Sequence, residues 1–249
     1  VARPADGDWT AAFAGAIERP GAAPLGAVTL APLYWADGAI LDVAALAPLI
    51  RARGGALVID ATQAVGALPV SVAAWQPDFL AFPTYKWLLG PYNLAFLYVA
   101  PHRQIGEPLE RNTFNWQLAE PASASVPRDG ATRYDMGERN NPVTLPMAVA
   151  AMALLDELGG PRAVQAHAGA LTLYLASALE QRGIPVMPSR FRSAHMLSFL
   201  PPGKDATTLV RDLAERKIFV SSRVGQVRVS PHWYNDKSDI DRLIEAINV

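Results

Sequence analysis

Residues 57–91 read LVIDATQAVGALPVSVAAWQPDFLAFPTYKWLLGP. Two short apolar runs, 57–59 and 79–82, each lead into polar residues. The first ends at Asp60, with Gln63 three residues later. The second leads through Pro83 to Thr84-Tyr85-Lys86. Apolar runs this short, bounded by turn residues, read as buried strands. Ligands of open α/β sheets gather beyond the carboxyl ends of the strands. The pattern therefore sets an acid and a lysine on the same rim of one sheet.

The flanking sequence extends this reading. Strands are expected at 27–33 and 95–99 as well, with helices at 9–18, 42–53 and 71–75 between them. Asp42 stands near a helix start, and Gly54-Gly55 supplies a C-cap. Strands alternating with short helices indicate an α/β domain with a largely parallel sheet. Residues 1–7 read as the end of a strand followed by a turn. The span 101–130 is polar, rich in Pro, Ser and Asn, and reads as a long functional or mobile loop. Helices follow at 145–158 and 161–182, punctuated by Gly159-Gly160-Pro161 and Gly183. Short strands at 184–187, 195–200, 218–221 and 226–230, with helices at 206–216 and 238–247, form a small α+β unit. The expected division is 1–150 for the sheet domain and 151–249 for the small C-terminal domain.

Composition narrows the chemistry. The chain has 249 residues, 51% of them hydrophobic, and a formal net charge of -1. Near-neutral charge argues against nucleic acid or an anionic membrane as partner. No apolar run reaches about 18 residues, and no signal peptide is visible, so a cytoplasmic location is expected. Cysteine is absent, which excludes disulfides, thiolate metal sites and a cysteine nucleophile. The four histidines show no metal-ligand spacing, so no metal is expected. Neither a GxGxxG nor a P-loop is present.

Two residues carry candidate chemistry on their own pattern. Lys86 sits in apolar surroundings, which disfavour its ammonium form and suit a Schiff-base nucleophile. The plainer reading is a surface lysine after a strand. Asp60 ends a strand of pure hydrocarbon. It reads either as a helix N-cap or as a carboxylate paired with a buried cation such as a protonated pyridine nitrogen.

The segments VIDATQ, DFLAFPTYKWLLGP and AFLYVAP, followed by RYDMGERNNP at 133–142 and VRVSPHWYNDKSDIDRL at 227–243, resemble the class V aminotransferase family of fold type I pyridoxal-phosphate enzymes. That family includes cysteine desulfurases, kynureninase and isopenicillin-N epimerase-like proteins. The likeness runs through nearly the whole chain in order and spacing. It lies nearest the isopenicillin-N epimerase-like and cysteine desulfurase-like branch.

The resemblance implies pyridoxal 5'-phosphate as cofactor, an amino acid as substrate and a homodimer as the assembly. Lys86 would bind the cofactor aldehyde and then act as base and acid at the substrate α-carbon. Asp60 would keep the pyridine nitrogen protonated, and Gln63 would hydrogen-bond the phenolic oxygen. Tyr85 would bind the cofactor phosphate, with Thr84 compensating for Pro83, which stands where many relatives have serine. Arg228 would grip the substrate α-carboxylate, for which a planar fork of donors is suited. Asn141 resembles an asparagine near the site of kynureninases, often reaching across a dimer interface. Trp35 would line the substrate pocket. His232 and Arg223 lie in the same C-terminal segment without an assigned role.

Two departures refine the reading. Without cysteine, sulfur transfer through a protein persulfide is excluded. The family's large domain normally begins well over a hundred residues before the Asp-x-x-Gln element, whereas Asp60 is sixty residues in. The chain is therefore expected to be a C-terminal fragment that binds the cofactor weakly or not at all by itself. Epimerase, transaminase and lyase chemistry are all compatible with the resemblance. A kynureninase-like hydrolase is the alternative enzyme, and a non-catalytic remnant or binding module the alternative of another class.

Overall fold

The computed structural model describes residues 1–247. Its main sheet has four strands in the order β1 (Ala27–Leu30), β2 (Ala56–Asp60), β3 (Phe79–Pro83), β4 (Ala95–Val99). The first three run parallel, and β4 is antiparallel to β3. The reversal follows from the connection: residues 84–94 hold no helix, and a parallel return needs a longer crossover. The fold is α/β with a mixed, mostly parallel sheet.

Register between β2 and β3 is fixed at the end remote from Lys86. Asp78, just before β3, accepts from the Leu57 amide at 2.7 Å, from His102 Nε2 at 2.8 Å and from Arg103 Nε at 2.6 Å. Burial opposes the Asp78 charge, but the bonds from Arg103, Leu57 and His102 together outweigh it and hold the carboxyl below its ordinary range. A one-residue slip would turn every side chain of a strand to the other face.

Helix α1 (Trp9–Ile17) is capped by the Asp8 carboxylate, and α2 (Val43–Ala52) by that of Asp42, which accepts from Ala45 N at 3.0 Å. Residues 1–7 form turns rather than a strand end. Ser71 caps the single turn α3 (Val72–Trp75). The long connection 101–130 is mostly irregular but carries a two-residue ladder, β5 (Trp116–Gln117) with β6 (Val126–Pro127).

Helix α4 (Thr144–Glu157) precedes α5 (Gly160–Glu180). At 21 residues α5 is roughly 30 Å long, long enough to serve two cores. Its Val164 joins Leu46, Ile50, Leu57, Ile59 and Leu80 in the sheet core. Its Leu171, Leu175 and Leu179 pack in a second core with Phe199, Val227 and Leu243.

That second core lies under a three-stranded antiparallel sheet in the order β7 (Leu197–Phe199), β9 (Gln226–Val229), β8 (Ser221–Arg223). It is covered by α6 (Ala206–Glu215) and α7 (Lys237–Ile247). Two expectations fail here. Residues 184–187 contribute one bridge, Val186 to Phe199, and no strand. The strand expected at 218–221 begins at Ser221. Residue 217 turns left-handed at φ 62°, and Ile218 N closes back on Leu213 O at 3.0 Å to cap α6. The apolar 218–220 segment is thereby drawn into the helix exit.

Candidate active site

Asp60 leaves β2 with its side chain exposed, and its Oδ1 accepts from Thr62 N at 2.9 Å. This turn takes the place of a helix N-cap, since no helix follows until α3. The chain then tightens through Ala64 N to Ala61 O at 2.9 Å and places Gln63 beside the segment after β3. Trp87 Nε1 donates to Gln63 Oε1 at 2.9 Å, and His195 Nε2 donates to the Gln63 carbonyl at 2.9 Å. With its oxygen held by an indole, the Gln63 amide presents its NH2 as the free face. That is the polarity required to donate to an oxyanion.

The segment after β3 is clasped from within. Thr84 is buried, its hydroxyl donates to Pro91 O at 2.6 Å, and Gly90 N returns to Thr84 O at 2.8 Å. Thr84 therefore fastens the loop instead of facing the cleft. Tyr85 is half exposed and stacks on Tyr92 at 4.4 Å, and the Lys86 amine lies 5.8 Å from the Tyr85 ring centre.

Lys86 is part-buried between these groups. Its amine is pushed below the ordinary lysine range, first by burial, then by the nearby Arg228 and Arg223 charges, with Asp60 acting in the opposite direction. The structure thus brings Lys86, Asp60, Arg228 and Arg223 within electrostatic reach of one another. A larger fraction of neutral amine at a given pH is what a lysine nucleophile or base requires.

The opposite wall comes from the smaller sheet. Arg228 Nη1 donates to the Trp35 carbonyl at 2.6 Å, and the Arg223 guanidinium lies 5.9 Å from the Trp35 ring centre. Trp35 itself is 48% exposed, beside Arg228 and Arg223. Its loop is tied to the second unit, with Ser193 N donating to Gly38 O at 2.8 Å. Asn141 is not drawn into this group. It is exposed, and its Oδ1 accepts from Val143 N at 2.9 Å and Thr144 N at 3.0 Å, capping the start of α4.

Two participants escape sequence reasoning. Trp87 is buried and touches His195 edge-on at 4.5 Å and His232 in a stack at 5.4 Å. His195 is fully buried and reaches a carbonyl 132 residues away. An aromatic directly after a candidate lysine is a usable signal for the first. Nothing local signals the second.

The donor set fits pyridoxal phosphate. A neutral-leaning amine, an exposed carboxylate and an amide offering NH2 match its aldehyde, pyridine nitrogen and phenolic oxygen in charge and polarity. Among the described residues no group of acids and histidines is arranged to hold a metal ion. No described helix is long and apolar enough to cross a membrane.

Comparison with known proteins accords with this geometry. The model of the class-V aminotransferase family matches residues 25–243. The isopenicillin N epimerase of Streptomyces clavuligerus is 31% identical over 227 residues, which is 85% of this chain and 56% of that protein. The apo cysteine desulfurase of Thermococcus onnurineus NA1 has the same fold, with a TM-score of 0.84 at 21% identity over 98% of this chain and 64% of its own. A variant of the enzyme C-DES, solved with glycine covalently linked to its pyridoxal-phosphate cofactor, gives a TM-score of 0.82 at 20% identity over 96% of this chain and 63% of its own. The chain spans just over half the length of the curated relatives it matches. With residues 25–243 accounted for by one family model, the chain belongs to the class-V aminotransferases.

Proposed function

We propose that this chain carries the lysine, the cofactor-facing acid and the carboxylate clamp of a pyridoxal-phosphate enzyme acting on an amino acid. The observation that carries the reading is that parallel β2 and β3 bring Asp60 and Lys86 to the same edge of the sheet, with the Lys86 amine held toward neutrality first by burial and then by Arg228 and Arg223. Lys86 would hold the cofactor through its amine, Asp60 through the pyridine nitrogen, Gln63 through the phenolic oxygen and Tyr85 through the phosphate. When bound, pyridoxal phosphate supplies an electron sink for carbanion chemistry next to an amino group.

The chain's own residues do the rest. Arg228 holds the substrate α-carboxylate and so fixes which α-substituent faces Lys86. The neutral Lys86 Nζ takes the α-proton and returns it as an acid. Trp87 keeps the Gln63 donor aimed into the cleft. Epimerisation, transamination and elimination share this proton removal, and the site is proposed for that step. A kynureninase-like hydrolase would draw on Tyr85 and Asn141. Within this chain Asn141 Oδ1 accepts from Val143 N and Thr144 N, and that alternative would have Asn141 reach a second copy.

The same reading divides the chain into a cofactor-binding part, 1–150, and a small C-terminal part, 151–249, each centred on its own core, with Leu155, Val164 and Met196 of the second part reaching into the first core. It also implies a cytoplasmic homodimer. The exposed apolar residues Leu145, Met147, Val149 and Leu154 of α4 support burial of that helix against a second copy. Borohydride reduction of the holoenzyme followed by peptide mapping tests the central assignment. The cofactor is expected on Lys86, and an unlabelled Lys86 would turn the reading to a non-catalytic binding module.

A further inference from the structure

The face of the smaller sheet that looks toward Trp35 carries an unusual set of side chains. In β9, Val227 and Val229 point into the second core, so alternation sends Gln226 and Arg228 to the opposite face. The register Ser221 to Arg228 and Arg223 to Gln226 puts Arg223 on that same face, directly across from Gln226 and diagonal to Arg228. Ser198 of β7 lies opposite Arg228. Its hydroxyl donates to Gln226 Oε1 at 2.7 Å. The Gln226 oxygen is thereby occupied, which leaves its NH2 as the free group on the face that Arg223 and Arg228 share.

The result is a cluster of donors on one face. Arg223 spends one nitrogen on the Ser222 carbonyl and Arg228 one on the Trp35 carbonyl. Among the described residues neither forms an ion pair with a carboxylate. The Arg223 charge also bears on Arg228, whose own ionisation is lowered first by burial and then by this neighbour. Two cations held together in a part-buried wall are stabilised by an anion between them. An α-carboxylate gripped bidentately by Arg228 leaves Arg223 without an anion.

We propose that Arg223 and Gln226 form a second acid-binding subsite beside Arg228, so that the preferred substrate is an amino acid whose side chain ends in a carboxylate. This rests on the reading of Lys86 and Arg228 given above. Arg228 takes the α-carboxylate, and Arg223 with the Gln226 amide takes the distal one. Trp35, beneath Arg223, borders the methylene chain between them.

The test uses the holoenzyme and two unreactive five-carbon acids, glutarate and valerate, with dissociation constants read from the change in cofactor absorbance. Glutarate is expected to bind about tenfold more tightly than valerate, the scale of one added charge-assisted contact. Arg223→Gln is expected to bring the ratio near one, and Arg223→Lys to keep part of it. The kcat/KM ratio of glutamate to norvaline is expected to fall in parallel. Equal affinity for the two acids in the unaltered protein overturns the proposal, as does a preference that survives in Arg223→Gln. Loss of the cofactor itself from Arg223→Gln also overturns it, by moving Arg223 to the cofactor phosphate. These failures leave the parent reading standing while borohydride still labels Lys86; an unlabelled Lys86 removes both.

Discussion

At the scale of single residues the site is governed by how its neighbours set charge and polarity. Asp60 raises the Lys86 ionisation, while Arg228 lowers it. Asp60→Asn removes a stabiliser of the ammonium form, so the pH midpoint for reaction of Lys86 with a small amine-reactive electrophile is expected to fall. Arg228→Gln removes a repulsion, so the midpoint is expected to rise. Peptide-level labelling rates across pH check both, and movement in the opposite directions would contradict the arrangement. Trp87→Phe keeps the ring between His195 and His232 but deletes the donor to Gln63. About 1 kcal/mol of stability is expected to go with that bond. The absorbance titration of bound cofactor is expected to shift, because the Gln63 amide is then free to flip; an unchanged titration would deny Trp87 its positioning role. The places of Asp60 and Lys86 beyond the ends of β2 and β3 were legible because each follows a short apolar run, while their roles came only from the family resemblance. The Trp87 and His195 bonds to Gln63 were not, because they depend on tertiary contacts across 24 and 132 residues.

At the scale of elements, two turns are built against each other. Gly66 sits at φ 99°, and a Cβ there would lie 2.6 Å from the Trp87 carbonyl carbon and oxygen. The turn after β2 and the lysine segment after β3 thus touch backbone to backbone. Gly66→Ala meets both a left-handed conformation and an immovable neighbour, and a loss of about 3 kcal/mol is expected in denaturant unfolding. A loss of only a few tenths would show that the two turns are not in such contact. The apolar strands and capped helices of the first 100 residues were legible because local pattern and tertiary role agree there. The antiparallel β4 and the displaced β8 were not. The first is decided by the length of a connection, and the second by the way α6 ends.

At the scale of the molecule, the two cores meet through buried histidines. His195 is held near a pKa of about 4, chiefly by burial, with its bond to the Gln63 carbonyl acting against the shift and His232 adding to it. His232 is lowered in the same direction, first by burial. Protonation of His195 would put a hydrogen on Nδ1, a buried atom without a partner among the described residues. A folded-state pKa below the unfolded value of about 6.5 means that the unfolded chain takes up the proton first. The stabilisation is therefore complete above about pH 6.5 and is lost as pH falls toward about 4. Between about pH 7.5 and about pH 5, His195 alone is expected to cost about 2 kcal/mol of unfolding free energy. His195→Leu is expected to flatten that slope in denaturant titrations. A slope as steep as in the unaltered protein would place the pH sensitivity elsewhere. The bonds from Asp78 to Leu57, His102 and Arg103 act over the same scale. They set the alignment of two strands at the end remote from Lys86, and the strands carry that alignment to their tips. Position 78 is therefore a remote setting on how Asp60 and Lys86 stand relative to each other at the opposite ends of β2 and β3, and a search for variants with altered reactivity has reason to begin on the far side of the sheet.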